Sequence, residues 1–486
     1  MTAAAPTPAH TTPKGSPRAT PPKKANAAAA ANTGRAPGPR DRYGLRNVAR
    51  FSTGTLKFLR GLADRYGDVV QLKIFGKEYF LVSHPDDIES VFIKHAASMG
   101  RDEYIETLKR TLGEGLLTSD GDLWKHQRKL MAQAFTPKRI RSYGDTMATV
   151  TEGALHYREG EVVNIHAEMS RITMEVVAAV LFGATIGPRE FELVGKSMET
   201  LNTYYANSPE AILILPRWVP TPLNMKVNAA VERLDGLIYS IIAKRRAARS
   251  SGKGSDAADE QRDLLDVLLN AQDDGGAGMS DQQLRDEAMT LFLAGHETTA
   301  LALAHTFYAL SKHPEIERRL RAELDEVLGD RLPTADDVKQ LVYTERVLKE
   351  SMRLFPPAWT TGRQANEDVM VGGYRVPAGS QILLSQWVVH RDSRFFPDPE
   401  AFDPDRWEPE RAKIIPRYAY FPFGGGSRIC IGNHFAMMEA TLILAIVLRR
   451  FHFELLPGQT LAFNPSVTLR QKGPGLQMRV REQAKG

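Results

Sequence analysis

The sequence holds a single cysteine, Cys430, within the run Phe421-Pro-Phe-Gly-Gly-Gly-Ser-Arg-Ile-Cys-Ile-Gly432. One thiol excludes an internal disulfide, and zinc or iron–sulfur sites want several cysteines. Two readings remain: a small buried hydrophobe, which free cysteine commonly is, or a chemically engaged thiolate. The pattern F-x-x-G-x-R-x-C-x-G falls at Phe423, Gly426, Arg428, Cys430 and Gly432. Average residue usage yields such a match in about one chain in ten thousand. Ile431 to Arg450 reads as a proline-free helix, so Cys430 sits at a helix N-terminus, where free amides and the dipole favour thiolate. The glycines permit a tight turn and a close approach to a flat ligand.

A second constellation interrupts a long apolar-periodic helix. Ser280 with Gln283 forms a capping box, and the helix runs to about Ser311 with Ala294-Gly-His-Glu-Thr-Thr299 at its centre. An interior glycine costs roughly 1 kcal/mol relative to alanine, and hydroxyls and a carboxylate amid apolar residues break the local pattern, as functional sites do. The bland alternative is a kink with Glu297 on a solvated face. Further along, Glu350 and Arg353 share a helix face three residues apart, an ordinary surface ion pair if taken alone. Trp124 and Arg128 stand at i,i+4 on another helix.

Taken together these stretches resemble the cytochrome P-450 family, soluble and bacterial-like, with no fused reductase. The cysteine run is similar to its haem loop, Ala294 to Thr298 to its A-G-x-[DE]-T motif, Trp124 to Arg128 to its W-x-x-x-R, and Phe402-Asp-Pro-Asp-Arg-Trp407 to its P-E-R-F meander. The resemblance implies a mainly α fold, with a long central helix over the haem and small peripheral β-sheets. It implies haem b (iron protoporphyrin IX) as cofactor, with Cys430 as the metal ligand, since an axial thiolate promotes O–O cleavage. Cofactor contacts are implied for Trp124, Arg128, Ala294, Gly295, Thr298, Arg363, Phe423, Arg428 and Gly432. Ala294 and Gly295 leave room for dioxygen, and Thr298 and Glu297 are catalytic, the first bonding to oxygen and the second relaying protons, with Thr299 a secondary candidate. His296 is a packing or surface residue. Glu350, Arg353 and Arg406 form a buried structural triad.

The elements that must position these groups follow from periodicity. A helix is expected from about Thr55 to Tyr66, then a hairpin of Val69 to Ile74 and Tyr79 to Val82 around Gly76. Helical spacing dominates from Pro85, with strands again around Val369 to Val376, Gln381 to Leu384 and after Phe451. Arg249 to Asp259 is polar and Gly/Ser-rich, a loop between two helices. With 486 residues the chain can bury a core around a sizeable ligand. Its net charge of +5 resides in residues 1–42, which carry seven cations and only Asp41 against them; the rest is close to neutral. Nucleic acid is therefore not an expected partner. The Ala/Pro-rich tail 1–42 lacks large apolar residues and reads as disordered, leaving 43–486 as one catalytic domain. No run approaches the roughly 20 apolar residues of a membrane span, so a cytoplasmic monomer without transmembrane anchor is expected.

What the resemblance implies about function is a monooxygenase that inserts one atom of dioxygen into a lipophilic substrate such as a fatty acid, terpenoid or polyketide. No G-x-G-x-x-G fingerprint is present, so electrons come from a separate ferredoxin or flavodoxin with its reductase, docked at Lys125, Lys129, Lys138, Arg139 and Arg141. The pocket walls expected are Met99 to Leu117, Thr203 to Val219, Phe292 and Leu293, Ala358 to Thr361 and Val467 to Leu469, with Ala211 to Val219 as an entrance lid. A peroxide-using enzyme of the same fold, or a haem sensor without turnover, is disfavoured by the intact Glu297 and Thr298 pair.

Overall fold

The computed structural model describes residues 34–183, 185–205, 216–250, 263–270 and 278–483. Most of the tail, residues 206–215 of the lid and pocket wall, and residues 251–259 of the expected loop lie outside these.

Ordered packing starts before the expected boundary at residue 43. Ala36 is buried, and the Pro37 carbonyl accepts the Gln71 amide at 2.8 Å. Small residues make this possible: a Cβ on Gly38 would lie 1.9 Å from the Gln71 carbonyl oxygen. Helix α1 (Leu45–Tyr66) begins ten residues earlier than the periodicity indicates, because two helical segments meet at a non-helical Gly54. The expected hairpin is present as β1 (Val69–Ile74) and β2 (Lys77–Val82), antiparallel around Gly76.

Helices α2 (Glu103–Leu112) and α3 (Gly121–Ala132) follow, and then α4 (Ile165–Phe182), which is buried along most of its length. The central helix α5 (Asp281–Lys312) has the expected capping box, with the Gln283 amide donating to Ser280 Oγ at 3.2 Å and the Ser280 amide to Gln283 Oε1 at 2.9 Å. Helix α5 lies across α4, where Thr173 Oγ1 donates to the His296 carbonyl at 3.0 Å. A Cβ on Gly295 would stand 3.2 Å from Val177 Cγ2. The glycine thus makes room for the crossing helix.

Helices α6 (Val342–Leu354) and α7 (Asn433–Arg450) complete the frame, with buried apolar faces of α5, α6 and α7 sharing one core. One five-stranded sheet places β1 and β2 beside β3 (Met99–Gly100), β4 (Thr361–Ala365) and β5 (Gln381–Leu384) in the order β1-β2-β5-β4-β3, the β2–β5 pair being parallel. A small antiparallel hairpin, β6 (Phe463–Pro465) and β7 (Leu469–Gln471), approaches α5 near the chain end. The mainly helical architecture with peripheral sheets is the one expected.

Candidate active site

The cysteine loop turns where glycine is required: Gly424 and Gly426 have φ of 73° and 68°. Their neighbour Gly425 is close-packed, since a Cβ there would meet Tyr418 at 2.5 Å and Phe92 at 2.6 Å. Gly425 and Gly426 therefore seat the loop against Phe92 and Tyr418, whereas a Cβ on Gly424 would meet nothing within 4 Å. The Cys430 amide donates to the Phe423 carbonyl at 3.0 Å. Helix α7 starts only at Asn433, with Gly432 as its N-cap. Burial pushes the Cys430 thiol above its usual range, and the Gly432 amide and the Arg128 guanidinium offset this only in part. A bound metal cation would favour the thiolate.

Cys430 is exposed although protein encloses it, so the surface it shows is the wall of an internal cavity. The same is true of Ala294. From Leu284 to Leu310 every residue of α5 is buried except Ala294, Gly295, Thr298 and Tyr308. Thr298 Oγ1 donates to the Ala294 carbonyl at 2.8 Å, one turn back. Thr299 bonds to Gly295 (3.1 Å) and turns instead toward Glu439 on α7, a buried carboxyl that burial pushes up to about 8. His296 is buried, with Nδ1 2.7 Å from the Phe292 carbonyl, so it packs.

Glu297 is not on a solvated face. It is buried, and Arg470 on β7 grips it with two bonds, Nε to Oε1 at 2.5 Å and Nη2 to Oε2 at 2.7 Å. Thr468 Oγ1 adds a third contact at 3.4 Å. Burial alone would raise this carboxyl, but Arg470, aided by His166 and His296, overrides it and holds Glu297 at about 2.

Three guanidiniums converge beside the loop. Arg428 stacks on Trp124 (4.1 Å to the ring centre), bonds to the Ser119 carbonyl at 3.2 Å and pairs with Asp120. Arg363 is buried against Phe92. Arg101 reaches the Leu116 carbonyl at 3.0 Å and the Ser119 carbonyl at 3.4 Å. Burial first, then mutual repulsion, lowers Arg101 to about 9 and Arg363 to about 10. Among the described residues only Asp102 and Asp120 face these three cations, and Asp102 Oδ2 has no hydrogen-bond partner. Buried cations in excess are costly unless an anion joins them.

The family model for Cytochrome P450 matches residues 37–478. The chain is a cytochrome P450. Cyclooctatin synthase of Streptomyces melanosporofaciens is 37% identical over 417 residues, covering 85% of this P450 and 89% of the relative. Cyclooctat-9-en-7-ol 5-monooxygenase of the same organism is 34% identical over 408 residues, covering 84% and 86%. A cyanobacterial P450 solved with retinoic acid bound superposes with a TM-score of 0.79 at 28% identity, over 92% of this chain and 99% of that one. The protein is a P450 monooxygenase, and membership implies a haem. The residues present fit one: a lone thiol at the wall of an enclosed cavity, and a surplus of buried guanidiniums suited to two carboxylates.

Sequence reasoning missed Arg101, Arg470 and Glu439. Arg101 is followed directly by Asp102 and Glu103, so nothing local set it apart, whereas Arg470 is the one cation in Val467 to Arg470 and broke a local pattern that could have marked it.

Proposed function

We propose that this P450 carries haem b on Cys430 and inserts one atom of dioxygen into a lipophilic, terpenoid-like substrate, with electrons from a separate ferredoxin or flavodoxin. The observation that carries the reading is the enclosed Cys430 beside the Arg101, Arg363 and Arg428 cluster. Trp124, Arg128, Arg363, Arg428 and Arg101 would hold the cofactor's carboxylates, and Phe423 and Gly432 would flank it. Bound haem supplies activation of dioxygen and oxygen transfer to carbon. Ala294 supplies room. Thr298 can exchange its bond to the Ala294 carbonyl for one to oxygen, and Glu297, once released by Arg470, can carry a proton inward. The relatives' names support a cyclic alcohol or its hydrocarbon precursor as substrate. Incubating purified protein with cyclooctat-9-en-7-ol or similar terpenoids, reductase, ferredoxin and labelled dioxygen tests this; unlabelled product, or product that requires hydrogen peroxide and not reductant, overturns it.

Among the described residues no helix is long and apolar enough to cross a bilayer, and a cytoplasmic monomer is proposed. For the docking face, Lys125 pairs with exposed Asp122 at 2.8 Å and Arg141 with exposed Asp336 at 2.6 Å. Such exposed pairs contribute little and exchange readily for a partner's carboxylates. Reduction by an acidic ferredoxin is therefore expected to slow steeply as salt rises; stopped-flow rates independent of ionic strength would count against that face.

The ion pair on Glu297 gives a pH prediction. In the wild-type protein Glu297 stays ionised down to about pH 2, so product formed per electron should show no titration from it. Arg470→Met leaves burial opposed by His166 and His296 alone, which raises the carboxyl, and coupling should then fall as pH drops through the new value. Thr298→Ala should cut coupling about a hundredfold at every pH, the low end of proton-transfer effects. An Arg470→Met profile as flat as wild type sinks the assignment.

A further inference from the structure

Helix α4 meets α5 along one face. Thr173 bonds to the His296 carbonyl at 3.0 Å, and Val177 closes on Gly295. His166 lies on that same face, two turns or about 10 Å before Thr173. The start of α4 is pinned to the segment that follows Arg470: Asn164 Nδ2 donates to the Pro474 carbonyl at 2.7 Å, and the Ile165 amide donates to the Leu476 carbonyl at 3.1 Å. Asn164 Oδ1 also caps the helix by accepting the His166 and Ala167 amides at 3.1 and 3.2 Å. His166 is thus carried to where α4, α5 and the β6–β7 hairpin converge on the Glu297–Arg470 pair.

Its Nε2 is buried without a hydrogen-bond partner, while the residue as a whole is half-buried and stands beside exposed Ala167. An unmade bond on a buried ring nitrogen is costly, so its presence calls for a reason. The charged and titratable groups that face His166 are Glu297, His296 and His305 on α5 and Arg470 on β7. Burial lowers the imidazole below its ordinary value, Glu297 draws it back up in part, and Arg470 and His296 lower it further. At neutral pH the ring is therefore uncharged, with one N–H to give and one nitrogen to accept. The other two histidines cannot take this part. His296 has Nδ1 engaged by the Phe292 carbonyl at 2.7 Å. His305 is wholly buried between the rings of Phe355 and Phe463, and burial, then His166, lowers it to about 3.

We propose that His166 is the residue through which protons enter to Glu297, its Nε2 becoming the carboxylate's partner when Arg470 lets go. This rests on the reading of Glu297 as the inward proton carrier. The step conserves charge and protons. A solvent proton binds at Nδ1, the proton on Nε2 passes to a Glu297 oxygen, and the ring is left neutral as the other tautomer. Exchange with solvent restores the first tautomer. The unengaged nitrogen is what makes the exchange of partners fast, since no bond of its own has to break first. His166 acts through Glu297 and does not touch the reacting atoms.

Two measurements on full-length holoprotein test this. In the first, isotope-labelled histidine is titrated by NMR in the reduced carbonyl form, and the His166 signal is assigned by its loss in His166→Phe. Its midpoint should lie below the ordinary histidine value and move further down in Glu297→Gln, because the carboxylate raises it. In the second, product formed per electron should fall roughly tenfold in His166→Phe, short of the hundredfold of a group acting on the reacting atoms. The solvent deuterium isotope effect on product formation should grow at the same time. His166→Gln, which keeps a hydrogen-bonding side chain but cannot titrate, should behave like His166→Phe; if it behaves like wild type, His166 only packs. Unchanged melting temperature and Soret band in both variants separate lost proton delivery from lost folding. A midpoint indifferent to Glu297→Gln overturns the proposal, as does wild-type coupling in His166→Phe while Thr298→Ala still uncouples. If Thr298→Ala and Arg470→Met are also without effect, the reading of Glu297 itself has failed and this proposal falls with it.

Discussion

Cys430→His protein should fold and take up haem, yet its reduced carbonyl complex should lack the red-shifted Soret band of a thiolate ligand, and oxygen insertion should fall to the level of a protein-free mixture. The reasoning separates binding from chemistry. The loop does not need the sulfur for its shape, because the Cys430 amide still donates to the Phe423 carbonyl and Gly424 and Gly426 still set the turn. The guanidinium cluster is likewise untouched, so cofactor carboxylates keep their partners. What imidazole could not supply to a bound haem is the electron donation of an anionic sulfur. Cys430→Ala should go further and lose haem on gel filtration. A histidine variant that retains turnover would show that the sulfur is a bystander and would remove the basis of the proposed function.

Much of this site was legible because its parts are local in sequence. The cysteine loop, the Ser280 capping box and the Glu350/Arg353 pair each declare themselves within a dozen residues, where turn chemistry and helix spacing operate. Arg470 could not be read in this way. It meets Glu297 across 173 positions, through a hairpin whose approach to α5 is decided by tertiary packing. The same limit explains the glycines. Sequence shows that Gly295 and Gly425 lack side chains, but only the fold shows that the space belongs to Val177 in one case and to Phe92 and Tyr418 in the other. At the thiol, the nearby helix terminus was visible from the pattern, whereas the burial that opposes it was not.

Glu350→Ala should destabilise the fold by about 3–5 kcal/mol, the usual result of removing one partner from a buried ion pair. The Glu350 carboxylate accepts bonds from Arg353 Nε (2.9 Å) and Nη2 (2.8 Å), Arg406 Nε (3.2 Å), Trp407 Nε1 (3.1 Å) and the Asp403 amide (3.0 Å). Removing it strands two guanidiniums where Arg353 has no exposed surface at all. Replacing both partners, as Glu350→Leu with Arg353→Met, should cost less than the two single changes added together, because no charge is then left alone. The damage should also reach the active site by a defined route. Arg353 Nη1 donates to the His390 carbonyl at 2.8 Å, and His390 Nε2 accepts the Phe421 amide at 3.0 Å, at the head of the cysteine loop. Burial, with Arg353 and Arg391 nearby, keeps His390 well below its ordinary value, so its ring is neutral and able to accept that bond. In urea, the Soret band of Glu350→Ala should therefore collapse at lower denaturant than the far-ultraviolet helix signal. Coincident transitions shifted by less than about 1 kcal/mol, the size of an exposed pair, would mean that the triad carries no such load.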